Sequence, residues 1–364
     1  MPRLAFYGSS LLSSYWNGAA TYYRGLLKNL AGLGWDVTFY EPDAFGRQDR
    51  RDIAPPDWAG VEIYAANEHA ARAALRRGAC ADVIVKASGV GVFDGELLAG
   101  VASVPDPALR VFWDVDAPAT LAEMGADATH PVRRALPSLD LVLTYGGGTP
   151  VVSAYRDFGA AACVAVYNAL DPDTHFPVAP DAALAGDLGF LANRMPDREA
   201  RADAFFFQPA AALPQCRFVL GGAGWDDRPV PHNVRRLGHV GTRQHNAFNA
   251  SCRAVLNVAR DSMASMGFCP ATRVFEAAGA GACLITDAWD GIEMFLAPGE
   301  EVLVARDGAD VAAHLRGLSQ ERARRIGGRA RARILREHTY ARRAAQVDRL
   351  FREALARKRS MRAA

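Results

Sequence analysis

Short apolar runs separated by amphipathic stretches dominate the chain. In the first half the runs are LAFYG (4–8), DVTFYEP (36–42), VEIYA (61–65), DVIVKAS (82–88), RVFWDVDAP (110–118), DLVLTYGGG (140–148) and CVAVYNAL (163–170). Helical periodicity fills the gaps, over about 18–33, 67–78 and 93–103. A second series follows, with runs at 187–194, 217–225, 234–241, 253–260, 282–287 and 301–308. Apolar runs of strand length that alternate with helices predict parallel sheets covered on both faces. The stretch 169–187 is rich in proline and aspartate and reads as a linker. Two doubly wound α/β domains are therefore expected, over about 1–175 and 180–338. Terminal helices follow near 319–335, opening at a Ser319 cap, and 339–360.

Length and composition agree with this pattern. The chain has 364 residues, which suits two domains, and with 50% hydrophobic and 23% charged residues it has an ordinary globular balance. No apolar run approaches the ~20 residues of a membrane span. The six cysteines are scattered with no metal spacing, and several lie inside strand patterns. Reduced buried thiols and a cytoplasmic protein are expected. The net charge is only +2, yet residues 321–364 hold fourteen Arg and one Lys against four acids. These basic residues alternate with Ala, Leu and Ile at helical spacing, the pattern of a solvated amphipathic helix. Nucleic-acid binding is not expected; contact with an anionic membrane surface is the lesser alternative.

Ligands of open α/β sheets bind beyond the carboxyl ends of the strands, so the polar residues there are the candidates for chemistry. After the first strand stand Gly8 and then Asn17-Gly18 at a helix start, where backbone amides can meet an anion or a sugar. The spacing is not GxGxxG, so no dinucleotide fingerprint is present. Asp114 and Asp116 end the strand RVFWDVDAP, each placed either as a general base or as a helix cap. Lys86 falls in an otherwise apolar strand and needs an anionic partner. In the second half Asn193 and Arg194, Gly222, Gly224 and Trp225, and Asn257 and Arg260 follow successive strands. A tryptophan there either stacks on a flat ring or packs in the core. Pro270 is placed as the first residue of a helix that carries Arg273 in its first turn and Glu276 three residues on. Such a pair suits a ribose diphosphate, the cation taking phosphate and the carboxylate taking vicinal hydroxyls; an ordinary ion pair is the competing reading.

The segments LGFLANR, VLGGAGW, NVRRLGHVG, AVLNVAR and RVFEAAGAGACLITDAWDGIEMFLAPGEEVLVARD, with EHTYARRA near the end, resemble the glycosyl transferases group 1 family, in its CgeB-like branch. The resemblance covers about 187–344 in register; the first half matches more weakly, through its glycine loop and DVDAP. It implies a GT-B fold, two Rossmann-like domains facing a cleft, with the C-terminal helix (339–364) crossing back to the first domain. It also implies transfer of a sugar from a nucleoside-diphosphate sugar to a hydroxyl-bearing acceptor, without a metal. The resemblance assigns Glu276 to the donor ribose and Arg273 to the diphosphate. Gly222–Trp225 and Gly238-His239 would line the nucleotide pocket; Gly281, which turns the chain into the next strand, and Glu293, which either faces the sugar with Gly291 or caps a helix, are also placed at the donor. One departure stands out. Many retaining relatives carry a Glu eight residues before the ribose-binding Glu, and here that position is Phe268. Retention and an inverting route with Asp116 as base both stay open, as do a non-catalytic module of envelope or spore-type assembly and a nucleotide-sugar epimerase.

Overall fold

The computed structural model describes residues 1–15 and 17–363, with side chains to Met361. Trp16, inside the expected loop 8–18, and Ala364, the end of the expected terminal segment, lie outside the described residues. The chain divides into two compact units, Met1–Tyr167 with Tyr340–Ala364, and Asn168–Thr339. The division falls before the proline- and aspartate-rich stretch, which packs with the second unit instead of hanging between the two. Among the described residues no helix is long and apolar enough to cross a membrane.

The first unit is built on seven strands: β1 (Arg3–Tyr7), β2 (Asp36–Asp43), β3 (Gly60–Ala65), β4 (Val83–Ala87), β5 (Leu109–Asp114), β6 (Leu141–Thr144) and β7 (Cys163–Ala165). They pair in parallel in the order β3-β2-β1-β4-β5-β6-β7. The helices of the first unit are α1 (Ala19–Gly32), α2 (Glu68–Gly78), α3 (Asp94–Ala102), α4 (Ala117–Ala126), α5 (Pro131–Ala135) and α6 (Gly148–Asp157). The second unit has β8 (Gly186–Leu191), β9 (Phe218–Gly221), β10 (Val234–Gly238), β11 (Cys252–Asn257), β12 (Leu284–Asp287) and β13 (Leu303–Ala305), in the order β10-β9-β8-β11-β12-β13. Its helices are α7 (Pro196–Ala202), α8 (Gln208–Ala212), α9 (Thr242–Ser251), α10 (Asp261–Met266), α11 (Thr272–Gly279), α12 (Gly308–Gly317) and α13 (Gln320–Glu337). The chain ends in α14 (Tyr340–Ala363), which belongs to the first unit.

The strands of the described residues coincide with the apolar runs, because central strands buried on both faces must be apolar at nearly every position, while the edge strands β3 and β10 are partly exposed and carry Glu62 and Arg235-Arg236. Central strands such as β4 and β12 are buried throughout. Strand order reverses between β1 and β4 and again between β8 and β11, so each unit has one topological switch point at its carboxyl edge.

Helix α14 follows from its sequence. Tyr340, Ala344, Val347, Phe351 and Leu355 recur at spacings of three and four and are all buried, leaving the arginines on the solvated side. This stripe packs on α1, where a Cβ at Gly25 would run into the ring of Tyr340, so only glycine allows the approach. Trp35 Nε1 donates to Asp348 at 2.8 Å, and Lys358 donates to Asp140 at 2.7 Å. Ser319 caps α13, accepting from the Arg322 amide at 3.1 Å. The arginines of α13 stand opposite a buried stripe of Ala323, Ile326, Ala330 and Ile334.

Candidate functional site

Beside the second unit's switch point, the loops that follow β8, β9 and β10 are laced together. The amides of Ala192 and Arg194 donate to the carbonyls of Gly221 and Ala223, both at 2.9 Å. The Asn193 carboxamide oxygen accepts from the Ala223 amide at 2.9 Å, and the Gly222 amide donates to Gly238 at 2.7 Å. A Cβ at Gly222 would run into the carbonyl of Ala192, so glycine is required there for the loops to close on each other. Asn193, Gly222, Gly224 and Gly238 are thus brought together, and His239 stands exposed beside Gly238.

Trp225 behaves differently. It is 2% exposed, its Nε1 donates to the Ala192 carbonyl at 2.7 Å, and its ring packs against Phe190 and Phe207. It fastens the loop to the core, the packing arrangement and not the stacking one that the sequence left open, and its ring has little face exposed to a base. Arg194 is also spoken for, ion-paired to Glu199 at 2.5 Å and to Asp227 at 2.9 Å.

A residue that sequence reasoning missed is Arg198, in the first turn of α7. Burial pushes its pKa down, as do Arg260 and Arg273 nearby, while Asp197 and Asp287 act the other way. Arg198, Arg260 and Arg273 therefore concentrate positive charge at the ends of β8 and β11 and the start of α11. Arg260 pairs with Asp197, and Arg201 reaches Asp287 at 2.6 Å. The helix sequence PDREARA looks like an ordinary polar helix and gives no signal for this beyond Pro196 as its first residue.

Helix α11 begins at Thr272 with Ala271 before it, so Pro270 lies outside the helix rather than opening it. The Pro270 carbonyl instead accepts from the Asn168 side chain at 3.1 Å. Arg273 Nη1 lies 3.7 Å from Glu276 Oε2, beyond hydrogen-bond range. Glu276 is only 6% exposed, and two histidines that the sequence did not single out face it. His175 Nε2 is 3.9 Å from Glu276 Oε1, and the His175 and His245 rings lie 5.9 Å apart. Asn246 on α9 fixes this arrangement by donating to the Thr174 carbonyl at 2.9 Å and accepting from the Phe176 amide at 3.3 Å.

Electrostatics at this spot are balanced rather than relaxed. Burial works to raise the Glu276 pKa, but His175, Arg273 and His245 together hold it below the usual carboxylate range. Burial, helped by Arg273 and His175, drives His245 down to about 4, against the pull of Glu276. Arg273 Nη1, His175 Nε2 and His245 Nδ1 are all buried without a hydrogen-bond partner. A buried carboxylate ringed by unsatisfied nitrogens is equipped to hold a polar ligand.

The remaining candidates of the second unit lie elsewhere on it. Gly281 sits at a positive φ of 77° where α11 turns into β12. Glu293 is exposed, and its carbonyl accepts from Arg333 at 3.1 Å. Phe268 also has a positive φ, 52°; its amide donates to Asp290 at 2.6 Å and its ring packs on Gly291.

In the first unit the switch point holds Asn17, buried, with its carboxamide accepting from Ser9 at 2.9 Å and donating to Ser10 and Ser13 carbonyls. Gly18 precedes α1 with open space around it, whereas a Cβ at Gly8 would collide with Phe39. Lys86 is buried and pairs with Asp94, at the start of α3. Asp114 is 0% exposed; it accepts from Ser88 at 2.7 Å, from Tyr155 at 2.5 Å and from the Asp116 amide at 2.9 Å. It anchors three loops through both carboxylate oxygens, while Asp116 is half-buried at the start of α4.

The order of the strands, the parallel pairing and the switch points define two doubly wound, Rossmann-like units, and likeness to solved structures makes the pair a GT-B fold. The solved structures agree. A sucrose-phosphate synthase from Thermosynechococcus elongatus is similar over 98% of this chain and 100% of its own, with a TM-score of 0.74 at 14% identity. HepE from Anabaena, in complex with UDP and glucose, matches over 97% and 100% with a TM-score of 0.67 at 14% identity. An alpha-glucosyltransferase in complex with UDP and a 13-mer DNA matches over 96% and 99%, with a TM-score of 0.70 at 8% identity. Residues 198–349 match the family model described as Glycosyl transferase-like. No curated protein matches the sequence.

Proposed function

We propose that this protein is a glycosyltransferase that takes its donor, a nucleoside-diphosphate sugar, in the second unit and a hydroxyl-bearing acceptor in the first. One observation carries the reading: a buried carboxylate, Glu276, and three arginines converge at the switch point of a sheet whose domain matches a glycosyl transferase-like family. Glu276 accepts from the vicinal hydroxyls of the donor ribose. Arg273, Arg198 and Arg260, with the free amides at the start of α11, take the diphosphate. The loops 192–194, 221–224 and 238–239 take the nucleoside. The matching segments at 187–344 further support placement in the CgeB-like branch.

Transfer breaks the bond between the sugar anomeric carbon and the diphosphate oxygen, and the electron pair leaves with the diphosphate. Fixed guanidinium charge stabilises that leaving group, a task a metal performs elsewhere, so no metal is needed for the step. The acceptor oxygen forms the new bond, and its proton passes to a base, for which we assign Asp116. Uridine donors are the first to test, since HepE and the alpha-glucosyltransferase are complexes with UDP. Phe268, standing where retaining relatives carry a carboxylate, favours the inverting route and, as a second reading, a module that binds donor without transfer. Calorimetry with UDP, GDP and dTDP, followed by donor turnover with and without acceptors, decides. Nucleotide binding with turnover is expected; binding without turnover selects the module, and no nucleotide binding refutes both.

A further inference from the structure

Glu276 and the two imidazoles that face it form a group with chemistry beyond ribose binding. One ligand atom from each of His175, His245 and Glu276 lies within 4.8 Å of the others. They come from three separate elements of one unit: the segment before β8, helix α9 and helix α11. His175 is 1% exposed, and both its Nε2 and His245 Nδ1 are buried with no hydrogen-bond partner. Two neutral imidazoles and one carboxylate are the donor set of zinc-class divalent cations. With bonds of about 2.1 Å a tetrahedral ion holds its ligand atoms about 3.4 Å apart, so each group here closes by less than about an ångström.

We propose that His175, His245 and Glu276 bind a divalent cation of the zinc class, and that an ion held there excludes the donor nucleotide. The exclusion rests on the donor reading above, because both ligands then require the Glu276 carboxylate. Arg273, 3.7 Å from Glu276, repels the ion and keeps its affinity modest, which makes the site a reversible brake and not a permanent structural centre. The same guanidinium attracts a diphosphate. Its removal therefore affects the two ligands in opposite directions.

Full-length protein, stripped with chelator and dialysed, is titrated with Co²⁺ as a spectroscopic probe, with Zn²⁺ added in competition. One equivalent is expected to bind, with visible d–d bands that Zn²⁺ abolishes. His175→Asn with His245→Asn weakens Co²⁺ at least about 100-fold, while UDP binding and the far-UV circular dichroism spectrum confirm that the variant is folded. Arg273→Ala tightens Co²⁺ by about 10-fold or more and weakens UDP. Saturating UDP raises the apparent Co²⁺ dissociation constant. No stoichiometric Co²⁺ binding, binding indifferent to the double substitution, or simultaneous binding of Co²⁺ and UDP each overturns the proposal. If Co²⁺ binding depends on the histidines and no nucleotide binds at all, the cation site stands and the donor reading falls.

Discussion

Acid should weaken the second unit through His245, and by an amount that can be worked out. Its pKa falls from the usual 6.5 to about 4, first through burial, then through Arg273 and His175, with Glu276 pulling the other way. A group with a depressed folded pKa favours the folded state fully above its unfolded value and loses that contribution as pH falls through the folded one. The window is therefore pH 6.5 down to 4, and 2.5 pKa units correspond to about 3 kcal/mol. At pH 5.5 the unfolded imidazole is mostly protonated and the folded one is not, which costs about 1.4 kcal/mol. His245→Asn removes this term and leaves other acid-sensitive groups in place, so the measured quantity is the difference between wild type and variant at two pH values. Urea unfolding read by hydrogen-exchange mass spectrometry on β8 and β11 peptides isolates the second unit from the first. Between pH 7.5 and 5.5 the difference should move by about 1.4 kcal/mol in favour of the variant. A movement below about 0.5 kcal/mol, or one of opposite sign, would mean that Glu276 holds the imidazole charged and that burial does not dominate.

Other substitutions separate the roles assigned here. Glu276→Gln removes charge-assisted hydrogen bonds to the ribose of about 1.5–3 kcal/mol, so UDP affinity should fall about 10- to 150-fold by calorimetry; unchanged affinity removes Glu276 from the nucleotide site. Trp225→Phe loses the 2.7 Å bond to Ala192 and should cost about 1–2 kcal/mol in unfolding, with UDP affinity kept within about threefold. A hundredfold loss would instead put the indole on the base. Phe351→Ala opens a cavity where α14 packs on the first unit and should cost about 3–5 kcal/mol in urea unfolding of that unit; a cost under about 1 kcal/mol would show α14 to be loosely held. Asp116→Asn should lower kcat at least about 100-fold while leaving UDP affinity unchanged, and full transfer activity in that variant removes Asp116 as base.

How much of this was legible in the sequence depends on whether a signal is local. The central strands were, because burial on both faces writes itself as an unbroken apolar run, and α13 and α14 were, because four buried positions in the first and five in the second, at spacings of three and four, leave a clear stripe. The helices of 196–212 were not: three consecutive phenylalanines, Phe205, Phe206 and Phe207, all buried where the helix widens by a residue per turn, erase the ordinary period. The division at Tyr167–Asn168 was also missed, since proline and aspartate mark irregular backbone without saying which core it packs on. The candidate site divides along the same line. Arg273 and Glu276 sit three apart on one helix, and their spacing is visible; His175 and His245 reach them only because Asn246 bonds the backbone on both sides of His175, a relation with no trace in any window of sequence. Trp225 and Asp114 show a related limit, because the sequence leaves two readings open for each. A polar or aromatic residue just past a strand is placed at a ligand edge by topology, but whether it faces the ligand or turns back into the core is decided by one χ1 choice and by the partner waiting there. For Trp225 that partner is the Ala192 carbonyl, and for Asp114 it is Ser88 and Tyr155. Residues past the strands whose polar atoms the fold satisfies hold the loops, and around Glu276 the buried nitrogens of Arg273, His175 and His245 that it leaves unsatisfied are where a ligand has something to add.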